Sequence, residues 1–403
     1  MTNNTWQVTP IGEQIELLTD YTANGSFAGL KQNVQYYNQP NYAALVRTTD
    51  LEKKFFAPER FTDKRGYDFL KKSSLTGGEI VLANVGSIGK VYRVPQYHQP
   101  MTLAPNMYLI RFKKGVDKDY AFQYLTSQIF QKKLLSNVAS TTLSAINKSN
   151  LRSITIPVPT LEVQQKIADI LSSIDEATQK TDQIIQKSEE LKNGLMQDLL
   201  VKGSSSYIYK LSEVADLTSS KRVMVSDYVD DGIPFYRSTE IIKKSKNIPL
   251  DNLLYITNEK FIFFKERFGA PEKGDILVTA VGTIGIVYLV QDETFYFKDG
   301  NLLWIRNIKN IVLPEYLKML LSSKFYYDIL NQTSGGSSQK ALTIEKAGTI
   351  EVFIPSIPEQ KRLIDILSSI DNKQLDNTNT QNNLLALKKG LMHDIFSQKV
   401  LVN

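Results

Sequence analysis

The hexapeptide Ile170-Leu-Ser-Ser-Ile-Asp175 recurs unchanged as Ile366-Leu-Ser-Ser-Ile-Asp371, an offset of 196 residues (170 to 366). The same offset carries Leu191-Lys-Asn-Gly-Leu-Met-Gln-Asp198 onto Leu387-Lys-Lys-Gly-Leu-Met-His-Asp394, and Pro159 and Gln164 onto Pro355 and Gln360. Upstream it carries Gly86-Ser-Ile-Gly89 onto Gly282-Thr-Ile-Gly285 and Tyr92 onto Tyr288. One offset held from Gly86 to Asp198 marks a duplication. A unit of half the 403-residue chain is far too long for a solenoid repeat. The chain is therefore read as two similar units, related by a pseudo-two-fold and suited to a ligand with its own approximate two-fold symmetry.

Each half opens with strand-rich sequence. Tyr42–Val46, Glu79–Ala83, Lys90–Val94 and Met107–Phe112 read as short strands, punctuated by Gly, Pro and Asn. Ile233–Tyr236, Asp275–Val278, Gly285–Val290 and Leu302–Arg306 repeat the pattern. A helix is expected after each set, near Tyr120–Leu135 and Pro314–Leu330, followed by flexible stretches at Ser140-Thr-Thr-Leu and Ser334-Gly-Gly-Ser-Ser.

Each half ends in a long helix with a heptad seam. The first seam runs Ile167, Ile170, Ile174, Ala177, Thr181, Ile184, Ser188, Leu191 and Leu195. The second includes Leu363, Ile366, Ile370, Asn377, Leu384, Leu387 and Leu391. An exposed seam would be sticky, so the two helices are expected to pair antiparallel as a coiled coil. Ile170, Ile174, Leu191, Ile366, Ile370 and Leu387 would be pairing residues, with Thr181 and Asn377 as a polar central layer that sets register. Solvent exposure of both polar residues is the competing expectation. At ~1.5 Å per residue, about forty residues span roughly 60 Å. Gly194 and Gly390, inside the helices, cost about 1 kcal/mol each. Close approach of a partner backbone and fraying near the helix end both account for them. The fold class is α+β: two α/β modules with curved sheets, separated by the two helices, with a Lys202-Gly-Ser-Ser-Ser206 joint after the first.

Composition removes several classes of function. Cysteine is absent and His98 and His393 are the only histidines, so disulfides, thiolate metal sites and histidine-centred acid–base chemistry are not expected. Asn38-Gln-Pro-Asn-Tyr42 lacks the second proline of an amino-methyltransferase motif and has no glycine-rich loop before it. The amino terminus has no secretion-signal pattern and no long apolar run occurs, so the expected location is the cytoplasm, without a membrane. Lys and Arg outnumber Asp and Glu by 48 to 42, which suits a polyanionic partner but is common among soluble proteins.

Two segments carry a family resemblance: Ile156-Pro-Val-Pro-Thr-Leu-Glu-Val-Gln-Gln-Lys-Ile-Ala-Asp-Ile-Leu-Ser-Ser-Ile-Asp175 and Ile354-Pro-Ser-Ile-Pro-Glu-Gln-Lys-Arg-Leu-Ile-Asp-Ile-Leu-Ser-Ser-Ile-Asp371. With the two Leu-Lys-x-Gly-Leu-Met segments further along, they resemble the specificity subunit of type I restriction–modification systems across essentially the whole chain. The resemblance implies target recognition domains at 1–158 and 204–354, and spacer helices at 159–203 and 355–403. It also implies a non-catalytic chain that reads a bipartite, asymmetric site in double-stranded DNA and docks two modification (methyltransferase) subunits. Restriction subunits can complete the nuclease. No cofactor is expected in this chain; S-adenosylmethionine is expected on the modification subunit. Two other classes compete: a helical scaffold that bridges proteins without touching DNA, and a methyltransferase or nuclease fragment with cryptic catalysis.

Sequence reading of DNA needs side chains at base edges, with phosphate contacts for position. Arg47-Thr48-Thr49-Asp50 and Arg237-Ser238-Thr239-Glu240 each end a strand with an arginine, two hydroxyls and an acid. Contact of Arg47, Thr48, Thr49, Arg237, Ser238 and Thr239 with DNA is one reading; a surface arginine paired with its nearby acid is the other. Gly86-Ser-Ile-Gly89 and Gly282-Thr-Ile-Gly285 read as tight turns that offer Ser87 and Thr283. Lys90, Lys298 and Lys340 are candidate phosphate contacts, with Ile286 standing where the second turn would repeat Lys90.

Overall fold

A computed structural model describes residues 6–53, 56–139, 145–202, 207–334, 341–400 and 402. The expected flexible stretches at 140–143, 203–206 and 335–338, and Lys340, lie outside these. The chain divides into two compact units: Met1–Asp182 with Asn379–Asn403, and Gln183–Thr378. Each unit therefore holds one module, the start of one long helix and the end of the other.

In the first unit an antiparallel sheet runs in the order Ile15–Asp20, Met107–Phe112, Ile80–Ala83, Val91–Arg93. Ile80-Val-Leu-Ala83 is buried throughout, and the two-residue period of a strand divides its side chains between two cores. Ile80 and Leu82 pack with Tyr120, Tyr124, Phe130 and Leu134 of the helices Lys118–Thr126 and Gln128–Ala139. Val81 faces a second sheet through Ala44, Val46, Met101 and Leu103. That sheet has the order Phe61–Thr62, Ala43–Val46, Met101–Leu103, Ser74–Leu75, with the middle pair parallel. The helix expected at Tyr120–Leu135 is thus two helices, broken at Ser127, whose hydroxyl accepts from the Phe130 N–H at 3.2 Å.

The second unit repeats the plan. Its first sheet runs Asp216–Thr218, Leu302–Arg306, Ile276–Thr279, Val287–Leu289. Ile276 and Val278 face the helix Pro314–Leu321, and Leu277 faces the other core with Trp304 and Phe297. A break at Ser323 again splits the expected helix, into Pro314–Leu321 and Lys324–Thr333.

A two-stranded ribbon, Gln7–Pro10 with Thr155–Val158 or Tyr207–Lys210 with Glu351–Ile354, leads each module into its helix. The helices span Leu161–Lys202 and Ile357–Phe396. Their attachment rests on two fully buried glutamines. Gln164 Oε1 accepts from the Asp117 N–H at 2.8 Å, while Nε2 donates to the carbonyls of Pro159 (2.9 Å) and Gly115 (3.2 Å). Gln360 does the same with the Leu313 N–H and the carbonyls of Ile311 and Pro355, each at 2.8 Å. Every polar atom is satisfied, as burial demands.

Within each unit the helix ends pair antiparallel. In the first, Ile167, Ala168 and Leu171 share a core with Met392, Ile395 and Phe396, and Lys388 Nζ contacts both Asp175 oxygens at 2.6 and 2.7 Å. In the second, Leu363 and Leu367 share a core with Met196, and Lys192 pairs with Asp371. A shift of 196 residues converts one ion pair into the other.

Alternate positions of the expected seam are buried, Ile167, Ile174, Thr181 and Leu363 among them, and several of the positions between are not. Leu171, Ile174 and Thr181 are buried and Ile370 is half-buried, but Ile170, Ile366, Leu191 and Leu387 are 41, 39, 57 and 53% exposed. The cause is the module: each helix end packs on the helices beside the sheet as well as on its partner, so that Leu171 and Leu367 are buried in place of Ile170 and Ile366. Thr181 is 8% exposed and returns its hydroxyl to the Ala177 carbonyl at 2.8 Å. Asn377 is half-buried, its Nδ2 without a hydrogen-bond partner among the described residues. A Cβ added at Gly194 or Gly390 meets nothing within 4 Å, so close backbone approach does not explain either glycine.

Candidate nucleic-acid interface

In the first module Arg47, Thr48, Thr49 and Ser87 line one cavity of about 580 Å³, with Tyr36, Leu45, Arg60, Gly86 and Asn106. The fully buried strand Ala43–Val46 delivers Arg47 to its rim, and Thr48 and Thr49 begin the short helix Thr48–Leu51. The Gly86–Gly89 turn forms another wall. Its second glycine is structural: φ is +83°, and a Cβ there would come within 2.8 Å of Gln131 Oε1. Gly86, at φ +78°, has open space around it, so the back of the turn is fixed to a helix while Ser87 stands on the free side. Gly282 and Gly285 repeat this, with φ +76° and +88°, and a Cβ added at the second would lie 3.2 Å from the Tyr327 ring.

Both arginines are held by their acids. The buried Asp50 accepts from the Arg47 backbone N–H (3.1 Å), Nε (3.0 Å) and Nη2 (2.7 Å), and Glu59 takes a further bond from Nη2 at 3.0 Å. The buried Glu240 accepts from the Arg237 backbone N–H (2.7 Å), Nε (3.1 Å) and Nη2 (2.6 Å). Asp50's hydrogen bonds raise the Arg47 pKa, and Glu240's raise that of Arg237. Burial pushes Glu240 up, but the Arg237 hydrogen bonds outweigh it and hold the carboxyl below its ordinary value. The acid thus caps the short helix and fixes the guanidinium plane. Of five N–H donors, the two on Nη1 carry none of these bonds.

The other candidates divide. Lys90 Nζ and the Tyr92 hydroxyl each reach Glu52 Oε1 at 2.7 Å, and Ser87 Oγ lies 3.4 Å away. Hydrogen bonds from Lys90 and then Tyr92 hold the exposed Glu52 below the usual carboxylate range. In the second module Glu293 takes the Tyr288 hydroxyl and Lys244, whose ammonium also lies 5.5 and 5.6 Å from the Tyr236 and Tyr288 ring centroids. Burial leads the causes that push the Tyr236 phenol up to about 12. Ser238 Oγ reaches the Asn301 carbonyl at 3.4 Å, which also accepts from the Ala280 N–H at 2.9 Å, at the start of the Thr283 turn. The Lys298 N–H donates to the Tyr236 carbonyl at 2.9 Å, placing this exposed lysine at the same strand end. Arg237, Ser238 and Lys298 thus stand at one strand end, and the turn that carries Thr283 begins beside Ser238.

Sequence reasoning missed Arg60, Tyr36 and Asn106. None belongs to the repeated segments that directed the search. Among the described residues no group of three or more His, Asp or Glu gathers as a metal site, and no helix is long and apolar enough to cross a membrane.

The model of the type I restriction modification DNA specificity domain matches residues 3–192 and again 205–387. The chain is 27% identical to a putative type I restriction enzyme specificity subunit of Haemophilus influenzae, covering 74% of this chain and 75% of that one. It is 23% identical to a putative type I restriction enzyme MjaX specificity subunit of Methanocaldococcus jannaschii, over 98% and 94%. In fold it is similar to the S subunit of the type I restriction–modification system of M. genitalium, with TM-score 0.58, 17% identity and 98% and 97% coverage. A matched domain in each half, on a duplicated frame, makes this chain a member of the type I restriction–modification specificity-subunit family, a non-catalytic DNA-recognition subunit with two recognition domains.

Proposed function

We propose that each module lays its arginine–hydroxyl rim and glycine turn against one half of a bipartite duplex site, while the exposed faces of the long helices receive two modification subunits. One observation carries the reading of the rim. Segments far apart in sequence, 47–49 and 87, line one cavity in the first module, and in the second Ser238 shares the Asn301 carbonyl with the Ala280 N–H just before the matching glycine turn. In each, an acid fixes the arginine plane and leaves outward donors, which suits bidentate contacts to a base edge or a phosphate. Ser87, Thr283 and Lys298 suit phosphate contacts. Ile170 with Ile366, and Leu191 with Leu387, are repeat-related apolar residues left on the surface. Two equivalent apolar surfaces suit two copies of one partner.

The test maps the methylated positions in DNA from cells carrying this chain with its modification subunit. Deleting one heptad from a long helix should change the gap tolerated between half-sites and leave both half-site sequences intact. Binding by the assembled complex should fall steeply with salt, as phosphate neutralisation requires. Altered half-site bases with an unchanged gap, or salt-independent binding, would contradict the reading.

A further inference from the structure

We infer that Arg60, rather than Arg47, is the arginine with which the first module reads a guanine in its half-site. The inference rests on the reading of the cavity as a DNA interface and assigns the base contact within it.

Arg60 is placed by strand register. Its carbonyl accepts from the Leu45 N–H at 2.9 Å, next to the Ala44–Phe61 pair of the antiparallel ladder. Cross-strand neighbours share a face, and Leu45 lines the cavity, so the Arg60 side chain rises from the same face. Arg47, two residues beyond Leu45, projects to that face as well.

The difference between the two arginines is electrostatic. The Arg47 guanidinium spends two donors on Asp50 and a third on Glu59, and the Arg47 backbone N–H adds a further bond to Asp50. Glu59 is itself shared with Lys53, so the acid adjacent to Arg60 is taken. Arg60 is exposed, and its guanidinium has no hydrogen-bond or ion-pair partner among the described residues. A free guanidinium keeps its whole donor fork for the O6 and N7 acceptors of guanine, the pairing that Arg geometry favours in the major groove. Thr48 and Ser87 on the opposite walls are left to phosphates.

The second module lacks this feature. In its ladder Phe235 pairs with Leu254, and Phe235, like Leu45, stands two residues before the capped arginine. Leu254 is therefore the counterpart of Arg60, and it packs into the module's own core. A leucine offers no donor to a base. The half-sites should differ at this contact: one requires a guanine and the other does not.

The experiment uses the complex of this chain with its modification subunits and duplexes bearing the mapped site, varied one base pair at a time. Arg60→Ala should weaken the cognate duplex about ten- to a hundred-fold. It should erase discrimination at one G·C pair of one half-site and leave the ranking at the other unchanged. Arg60→Lys should keep the salt dependence and weaken that discrimination, because an ammonium can reach O6 or N7 but lacks the planar fork that fixes both. Both variants should melt with the parent, since the side chain is exposed. Uniform weakening of every duplex, with the salt slope reduced by about one, would mean a phosphate contact and overturn the inference. Unchanged binding by Arg60→Ala would overturn it too. If Thr48→Ala and Ser87→Ala then still weaken that half-site, the cavity remains an interface; if all three are silent, its assignment to DNA falls as well.

Discussion

The two modules agree strand for strand in the sheet that faces the helices and part company in the sheet that does not. The first sheets share one order, one direction and one division of side chains between two cores. The second sheets share only a parallel pair and one neighbour. The first module then adds Ser74–Leu75 beyond the parallel pair, while the second adds Tyr228–Val229 at the opposite edge. The same contrast holds for the lysine–glutamate–tyrosine clusters. Tyr92 and Tyr288 are repeat partners, yet the first takes its lysine from the glycine turn (Lys90) and the second from the helix Ser238–Ser245 (Lys244). Ile286 at the lysine position of the turn is therefore no loss of charge, because Lys244 supplies it from another element. The sheet that touches the helices is shared, the capped arginine and the glycine turn are shared, and the modules diverge in the second sheet that surrounds them. That separation is what a two-module reader of an asymmetric site requires.

The strongest way to break the comparison is at the buried glutamines. Gln164→Leu and Gln360→Leu each strand one backbone N–H and two carbonyls in a buried joint, at about 1–3 kcal/mol per group. Each should cost roughly 3 kcal/mol or more in denaturant unfolding and open the helix start to hydrogen exchange. The partner sets are the same, so the losses should be similar; a large inequality would show that the joints are not equivalent.

A smaller effect separates the two arginine caps. Glu240→Gln replaces a buried carboxylate that accepts three hydrogen bonds, two of them from a guanidinium, and should cost about 2 kcal/mol at neutral pH. Because the folded carboxyl is held below its unfolded value, its contribution is fully present above the ordinary glutamate range and is lost as pH falls through the lowered value. Melting temperature against pH should show an acid limb that Glu240→Gln flattens; an unchanged limb would remove Glu240 from the account.

The smallest expected effect is at the helix glycines. With open space around each, Gly194→Ala and Gly390→Ala should each stabilise by up to about 1 kcal/mol. Destabilisation of one alone would show that the two helix ends meet different surroundings.

Much of this was legible in the chain itself. The strands Met107–Phe112, Ile233–Tyr236 and Leu302–Arg306 fall where their apolar runs put them, because runs buried on both faces need no partner information. The two- and three-residue strands of the second sheets were not legible, since so short a segment shows no period. Leu171 is buried where Ile170 was expected because a heptad argument knows of a partner helix but not of Tyr120, Tyr124 and Phe130 beside it. In the candidate site, the repeat picked out Arg47 and Arg237, whose acids lie three residues on. It was blind to Arg60 because a residue confined to one copy leaves no echo in the other.

The glutamine joints carry a last consequence. Gln164 and Gln360 grasp main-chain N–H and carbonyl groups alone. Such a coupling is indifferent to which side chains the attached domain displays, so long as its backbone takes the same path. As far as these hydrogen bonds go it behaves as a standard socket, and only the apolar residues that pack on the helix start, such as Tyr120 and Tyr316, tie the shaft to the sequence of its head.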